Sequence, residues 1–194
     1  MLTVFGSTAL DTIRTPKKTL RNVLGGAATF AAISASNFVD TGLIAVVGND
    51  FPGEYQKILS KYLDLKGFTI KEGKTFRYDG KFDNTLSTRE TLKTELNVIE
   101  NFHPTVPDDY KKSQFVYLAN NDPDQNTNLL KEFDKVKFSM CDTIDFWIST
   151  KRNSVINMIK SVDAVVINDE EAKLLTREFN LIKCAKKMMD WGAK

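Results

Sequence analysis

Short apolar runs, each stopping at or just before Gly, Asn or Asp, recur along this chain and leave few folds open to it. Leu2-Thr3-Val4-Phe5 stops at Gly6, and Leu43-Ile44-Ala45-Val46-Val47 stops at Gly48. Phe115-Val116-Tyr117-Leu118 runs up to Asn120-Asn121-Asp122-Pro123, residues 136–141 end at Asp142, and Ala164-Val165-Val166-Ile167 ends at Asn168. Runs that are apolar on both faces suit parallel strands covered by helices on both sides. Helical spacing fills most of the intervals. Residues 27–38 are small and apolar, as a helix packed closely on a sheet requires. Tyr55, Ile58, Leu59 and Tyr62 recur at i, i+3, i+4 and i+7 within residues 52–63. Residues 154–159, 170–175 and 181–191 continue the alternation, the last carrying Ile182, Ala185, Met188 and Met189. Strands alternating with helices predict βαβ units and a doubly wound α/β sheet.

One segment breaks this rhythm. Residues 73–102 are rich in Thr, aromatics and charge, with strand material at Thr75-Phe76-Arg77-Tyr78 and Phe82 and a turn expected at Asp79-Gly80. This predicts a small β-rich appendage, a lid or an interface, contributed mainly by residues 73–102. Its open edge must be covered by something.

Composition excludes several classes of function. The 194 residues allow one domain, with or without an appendage, and 42% hydrophobic with 27% charged residues is ordinary globular usage. The formal charge of +2 is dispersed, and Lys17-Lys18, Lys111-Lys112 and Lys186-Lys187 lie far apart, so no basic stripe points to nucleic acid. Cys141 and Cys184 show no CxxC spacing, and with the lone His103 they form no recognised zinc pattern. Unpaired thiols, an N-terminal run too short for a signal peptide and no membrane-length apolar stretch lead to an expected cytoplasmic location.

Candidate chemistry sits at loop–helix junctions. Gly25-Gly26, opening the helix that contains Thr29, would let backbone N–H groups approach a ligand, or would simply allow a tight turn. Asp11, a few residues past the first run, could accept hydrogen bonds from neighbouring hydroxyls of a polyol, or be a solvated turn residue. Asn168 and Glu171 could organise hydrated Mg²⁺, or form a capping box. His103 reads as structural. Asp142 with Asp145 is a paired-carboxylate arrangement of a commonplace kind.

The order of these signals carries more than any one of them. GSTALD, LGGAATFAA, LIAVVGNDFPGEY and VDAVVINDEEAKLL, taken together, resemble the ribokinase-like (PfkB) carbohydrate kinase family from Leu2 to the end of the chain. The resemblance implies a mainly parallel sheet flanked by helices, with TFRYDGKF at the β lid. It implies ATP-dependent phosphorylation, with Mg²⁺, of a sugar, cyclitol, other polyol or nucleoside hydroxyl. Asp11, Gly25, Gly26 and Thr29 match the acceptor-binding side, and Asn168 and Glu171 match the NxxE pair at metal and phosphate. The lid would close over the acceptor, and its exposed face would be free to pair with a second copy as a homodimer. Ala9 stands where ribokinase has a polar acceptor contact and Phe30 near its asparagine, which turns the expectation from ribose toward a cyclitol or nucleoside. The family's GAGD motif, with its catalytic base, has no match, since only Gly192 follows Gly80. The expectation is therefore a chain without its C-terminal part, with no catalytic residue of its own and inactive alone. A non-catalytic binding or dimerisation module is the alternative. A dinucleotide-binding domain fits less well, because Gly6-Ser7-Thr8 lacks GxGxxG spacing.

Overall fold

Every position of Thr41–Gly48 is buried, the pattern of a strand with helices on both its faces. It is β4 of a computed structural model that describes residues 1–86 and 89–193; Ser87 and Thr88 of the expected lid, and Lys194, lie outside the described residues. The strands are β1 (Leu2–Phe5), β2 (Ala9–Arg14), β3 (Thr19–Gly25), β4, β5 (Asp64–Lys71), β6 (Arg77–Phe82) and β7 (Arg89–Glu95). They continue with β8 (Phe115–Leu118), β9 (Phe138–Asp142) and β10 (Ala164–Val166). The helices are α1 (Ala27–Ser36), α2 (Gly53–Leu59), α3 (Asp108–Lys111), α4 (Pro123–Leu130), α5 (Asp145–Thr150), α6 (Arg152–Ser161), α7 (Asp169–Thr176) and α8 (Leu181–Trp191).

Six strands form the main sheet in the order β10-β9-β8-β1-β4-β5, and every pairing in it is parallel. Alternate side chains feed two cores, as the strand period of two requires. Val4, Leu43 and Ala45 pack with Ala28 and Ala32 of α1 on one face. Phe5, Ile44, Val46 and Leu118 pack on the other with Leu129, Val155, Met158, Ile159 and Leu175. The expected ribokinase-like α/β architecture is thus present: helices on both faces of a parallel sheet, and a separate small sheet.

That second sheet has the order β3-β2-β6-β7, with β2 antiparallel to β3, parallel to β6, and β6 antiparallel to β7. Half of its strands come from residues 9–25, outside the segment expected to supply most of the lid. The expected turn at Asp79-Gly80 is instead a register shift inside a continuous strand, with Arg77 paired to Glu95 and Phe82 to Arg89. A bulge lets two residues oppose one without ending the ladder. Gly80 leaves room there for the Tyr78 ring, since a Cβ at Gly80 would lie 2.6 Å from Tyr78 Cε1.

One carboxylate joins the two sheets. Asp50, just past β4, accepts hydrogen bonds from Thr75 N and Thr75 Oγ1, each at 2.7 Å, and pairs with Arg77 Nη2 at 2.7 Å. Arg77 in turn donates to Asn22 Oδ1 on β3, and Gly48 N donates to Thr75 Oγ1 at 3.0 Å. Partial burial raises the Asp50 carboxyl, but the Thr75 and Arg77 donors outweigh it and hold the pKa below its ordinary value. The stability it contributes is therefore present at neutral pH and lost only as pH falls through that lowered value. Asp50→Ala is expected to cost roughly 1–3 kcal/mol. It should speed hydrogen exchange of the β3 and β6 amides while leaving β4 protected. Uniform exchange across both sheets would show that Asp50 is no joint.

Candidate active site

In a parallel sheet, ligands bind beyond the carboxyl ends of the strands, where the strand order reverses. Here that place is the end of β1, flanked by β4 on one side and β8 on the other. A cavity of about 480 Å³ opens there beneath the second sheet. Ser7 after β1, Asn120 after β8 and Asp142 at the end of β9 contribute from the main sheet. Asp11 of β2, Tyr78 and Phe82 of β6, and Arg89 of β7 contribute from the second sheet. Phe30 of α1 and Phe146 of α5 complete the wall, with Phe30 62% exposed and so presenting a ring at the mouth.

Asp11 belongs to a strand of the second sheet, not to a loop after the first strand, and β2 carries it over the cavity. Its Oδ1 is buried and accepts no hydrogen bond from the described residues. Burial pushes its pKa up to about 6, against the lowering influence of the Tyr78 backbone N–H. Asp11 also explains a glycine of the paired strand: a Cβ at Gly25, which lies opposite Ala9, would be 2.0 Å from Asp11 Oδ2. Gly25 thus makes room for the carboxylate and is not itself in the cavity wall. Gly26 is in the wall, with φ of 97°, and a Cβ there would lie 2.3 Å from Ser7 O. Only glycine allows that turn and that approach together.

The opening of α1 differs from the expectation. Ser7 Oγ accepts from Ala27 N at 3.2 Å and Ser7 O accepts from Ala28 N at 3.1 Å, so these amides are occupied by the chain itself. Thr29 is fully buried and its hydroxyl donates to Thr8 Oγ1 at 3.1 Å. It is absent from the cavity wall, because its helical phase turns it into the core. Ala9 is likewise fully buried in the core.

Three neighbouring parallel strands bring Tyr117, Asp142 and the Asn168–Glu171 turn to the same end of the sheet. Tyr117 donates its hydroxyl to Asp142 Oδ2 at 2.9 Å, while Asp142 Oδ1 is buried without a partner among the described residues. Burial pushes the Asp142 pKa up to about 7, the Tyr117 hydrogen bond works against this, and the charge of Glu171 adds to it. In the sequence Asp142 was legible as the residue closing a strand and, with Asp145, as a commonplace carboxylate pair. Its neighbour Asp145 also lines the cavity, from the exposed first turn of α5.

Asn168 and Glu171 form a complete capping box on α7: Asn168 Oδ1 accepts from Glu171 N at 2.9 Å, and Glu171 Oε2 accepts from Asn168 N at 3.2 Å. Neither lines the cavity. Glu171 is buried, which raises its pKa, while hydrogen bonds from the Asn168 backbone and side chain lower it. Among the described residues no cluster of three or more acidic, His or Cys side chains could cage a metal directly. One buried carboxylate with an amide oxygen nearby suits the other mode, a Mg²⁺ held mostly through water. His103 is exposed, and both cysteines are free and buried. No helix among the described residues is long and apolar enough to cross a membrane.

The fold defines a class. Among the structures that share it are a Methanocaldococcus jannaschii nucleoside kinase described as an archaeal member of the ribokinase family, and a Burkholderia thailandensis nucleoside kinase in complex with inosine. The first matches with a TM-score of 0.76 at 18% identity over 95% of this chain and 67% of its own. The second matches with a TM-score of 0.78 at 14% identity over 96% of this chain and 66% of its own. In sequence, the chain is 27% identical over 207 aligned positions to the cytidine kinase of Thermococcus kodakarensis, covering 100% of this chain and 70% of that one. No family model matches. The fold is ribokinase-like, and the resemblance to the ribokinase-like kinases read from the motifs is shown by these relatives. The chain spans about two thirds of their length.

Proposed function

We propose that the protein phosphorylates a hydroxyl of a nucleoside, sugar or polyol, and that these 194 residues supply the acceptor side of that reaction. The observation that carries the reading is the Asp11 carboxylate, buried over a cavity at the strand-order reversal with Gly25 shaped to receive it. The kinase relatives support the class of reaction, and the aromatic rings of the wall favour a nucleoside or cyclitol over a bare pentose. Residues 1–194 would act as one α/β domain whose lid is the second sheet.

In this reading Asp11 orients two acceptor hydroxyls, and the second sheet shields the reacting oxygen from water, which would otherwise compete for the phosphoryl group. Asn168 and Glu171 would hold Mg²⁺ through water, near the phosphates of ATP. Bound Mg²⁺ supplies charge neutralisation for phosphoryl transfer. The catalytic base and most of the nucleotide site are proposed to lie outside these residues. Support for further chain packing comes from the apolar side chains exposed around α7 and α8, among them Phe179 at 93% and Ile182 at 68%. A cytoplasmic location and a homodimer through the lid complete the proposal.

The test is transfer of label from γ-labelled ATP with Mg²⁺ to a panel of pentoses, cyclitols and nucleosides, using the product of the whole reading frame. Label on one of these acceptors, lost on Asp11→Ala, is the expected result. Label appearing only as inorganic phosphate contradicts the proposal.

A further inference from the structure

The charged groups of the cavity wall are unequal in number and in placement. Among the described residues, Asp11, Asp142 and Asp145 line it against a single guanidinium, that of Arg89. Arg89 stands on an exposed strand with its guanidinium carbon 5.4 Å from the centre of the Tyr78 ring, and it ion-pairs with no carboxylate among the described residues. Among the described wall residues, the buried side-chain atoms without partners are of one kind. Asp11 Oδ1, Asn120 Oδ1 and Asp142 Oδ1 are all oxygens, all on wall residues, and all without a donor among the described residues. A buried acceptor left unpaired is costly, so a ligand that fills this cavity well must bring donors to it.

Resting on the acceptor-site reading above, we infer that the cavity selects uncharged, donor-rich acceptors and turns away molecules that already carry a phosphate or carboxylate. Hydroxyls and amino groups satisfy the orphaned oxygens. An anion brings further acceptors beside carboxylates in a setting where water screens poorly, and like charges there repel strongly. The raised pKa values of Asp11 and Asp142 agree with a wall that lacks a buried cation to hold these carboxylates ionised. The group to be transferred escapes this exclusion, since its charge arrives neutralised by Mg²⁺. Among the described wall residues, only Arg89 at the rim works the other way.

The test is calorimetric titration of the chain with matched compounds: cytidine against 5-carboxycytidine, and sorbitol against gluconate. Placing the charge away from the 5′-hydroxyl avoids confusion with a reaction product. In at least one pair the uncharged compound should bind, and its anionic partner should bind at least about tenfold more weakly, a difference of about 1.4 kcal/mol. Asp142→Asn should narrow that gap. Anions binding as tightly as their neutral partners would overturn the inference while leaving the acceptor site standing, with Arg89 as the dominant charge. If none of the compounds binds, the acceptor-site reading falls and takes the inference with it. The wild-type pairs decide the matter even if the variant fails to fold.

Discussion

Replacing Asp11 by alanine is expected to weaken binding of the acceptor by about 10²-fold or more. A carboxylate that accepts two hydroxyl donors makes charge-assisted hydrogen bonds, each contributing roughly 1.5–3 kcal/mol, and 1.4 kcal/mol is a factor of ten. The fold should survive, because Asp11 Oδ1 receives no hydrogen bond from the described residues. The effect should depend on pH. Burial holds the Asp11 pKa at about 6, so the ionised acceptor of hydrogen bonds is scarce at pH 5 and nearly complete at pH 7.5. Affinity for cytidine or myo-inositol, measured by calorimetry, should rise across that interval in the native chain and stay flat in Asp11→Asn. A pH-dependent rise that persists in the variant would assign the titration to another group.

Asp142→Asn is expected to stabilise the protein at pH 8 and to change little at pH 4. The folded pKa of about 7 lies above the ordinary carboxylate value of 3.8. Below 3.8 the group is protonated in both states and costs nothing. Between 3.8 and 7 the folded state keeps a proton that the unfolded chain releases, so stability falls as pH rises, and above 7 the full penalty applies. At 1.36 kcal/mol per unit, with allowance for the side's access to the cavity, the penalty is roughly 2–4 kcal/mol. Asparagine keeps an oxygen for the Tyr117 hydroxyl, which donates at 2.9 Å to Asp142 Oδ2. Thermal unfolding at the two pH values should give a higher midpoint for the variant at pH 8 by roughly 5–10 °C. Equal midpoints at pH 8 would mean that the carboxylate is not penalised by burial.

The strands of the main sheet were legible where apolar residues cluster in the chain. β1, β4, β8 and β10 announce themselves as mostly apolar runs and β9 through Phe138, Met140 and Cys141, although among these only β4 is buried at every position. β2 and β3 were not legible, because Asp, Thr, Arg and Asn interrupt them and the first four positions of β3 are exposed, so no two-faced apolar run survives. β5 escaped for a related reason. It is an edge strand, with Lys66 and Lys71 on its outer side and Ile70 52% exposed. The site divides in the same way. Asp11 was found through its distance from the first strand, yet its carrier is a strand the apolar pattern does not mark. Thr29 followed Gly25-Gly26 in the text, but helical phase turned it inward. Asp142, Asn120, Tyr78 and Arg89 come together only through strand order, which no local pattern encodes. Asp50 was visible only as part of a motif; its bonds to Thr75 and Arg77 span residues far apart in the chain.

The central claim is that an acceptor lies between the two sheets with its hydroxyls on Asp11. A crystal structure of the chain grown with cytidine or myo-inositol tests it most directly. The account predicts ligand density in the cavity, with two neighbouring hydroxyl oxygens within about 3 Å of the Asp11 carboxylate and a ring against Phe30 or Phe146. Density for the ligand elsewhere, with no ligand hydroxyl on the Asp11 carboxylate, would contradict it.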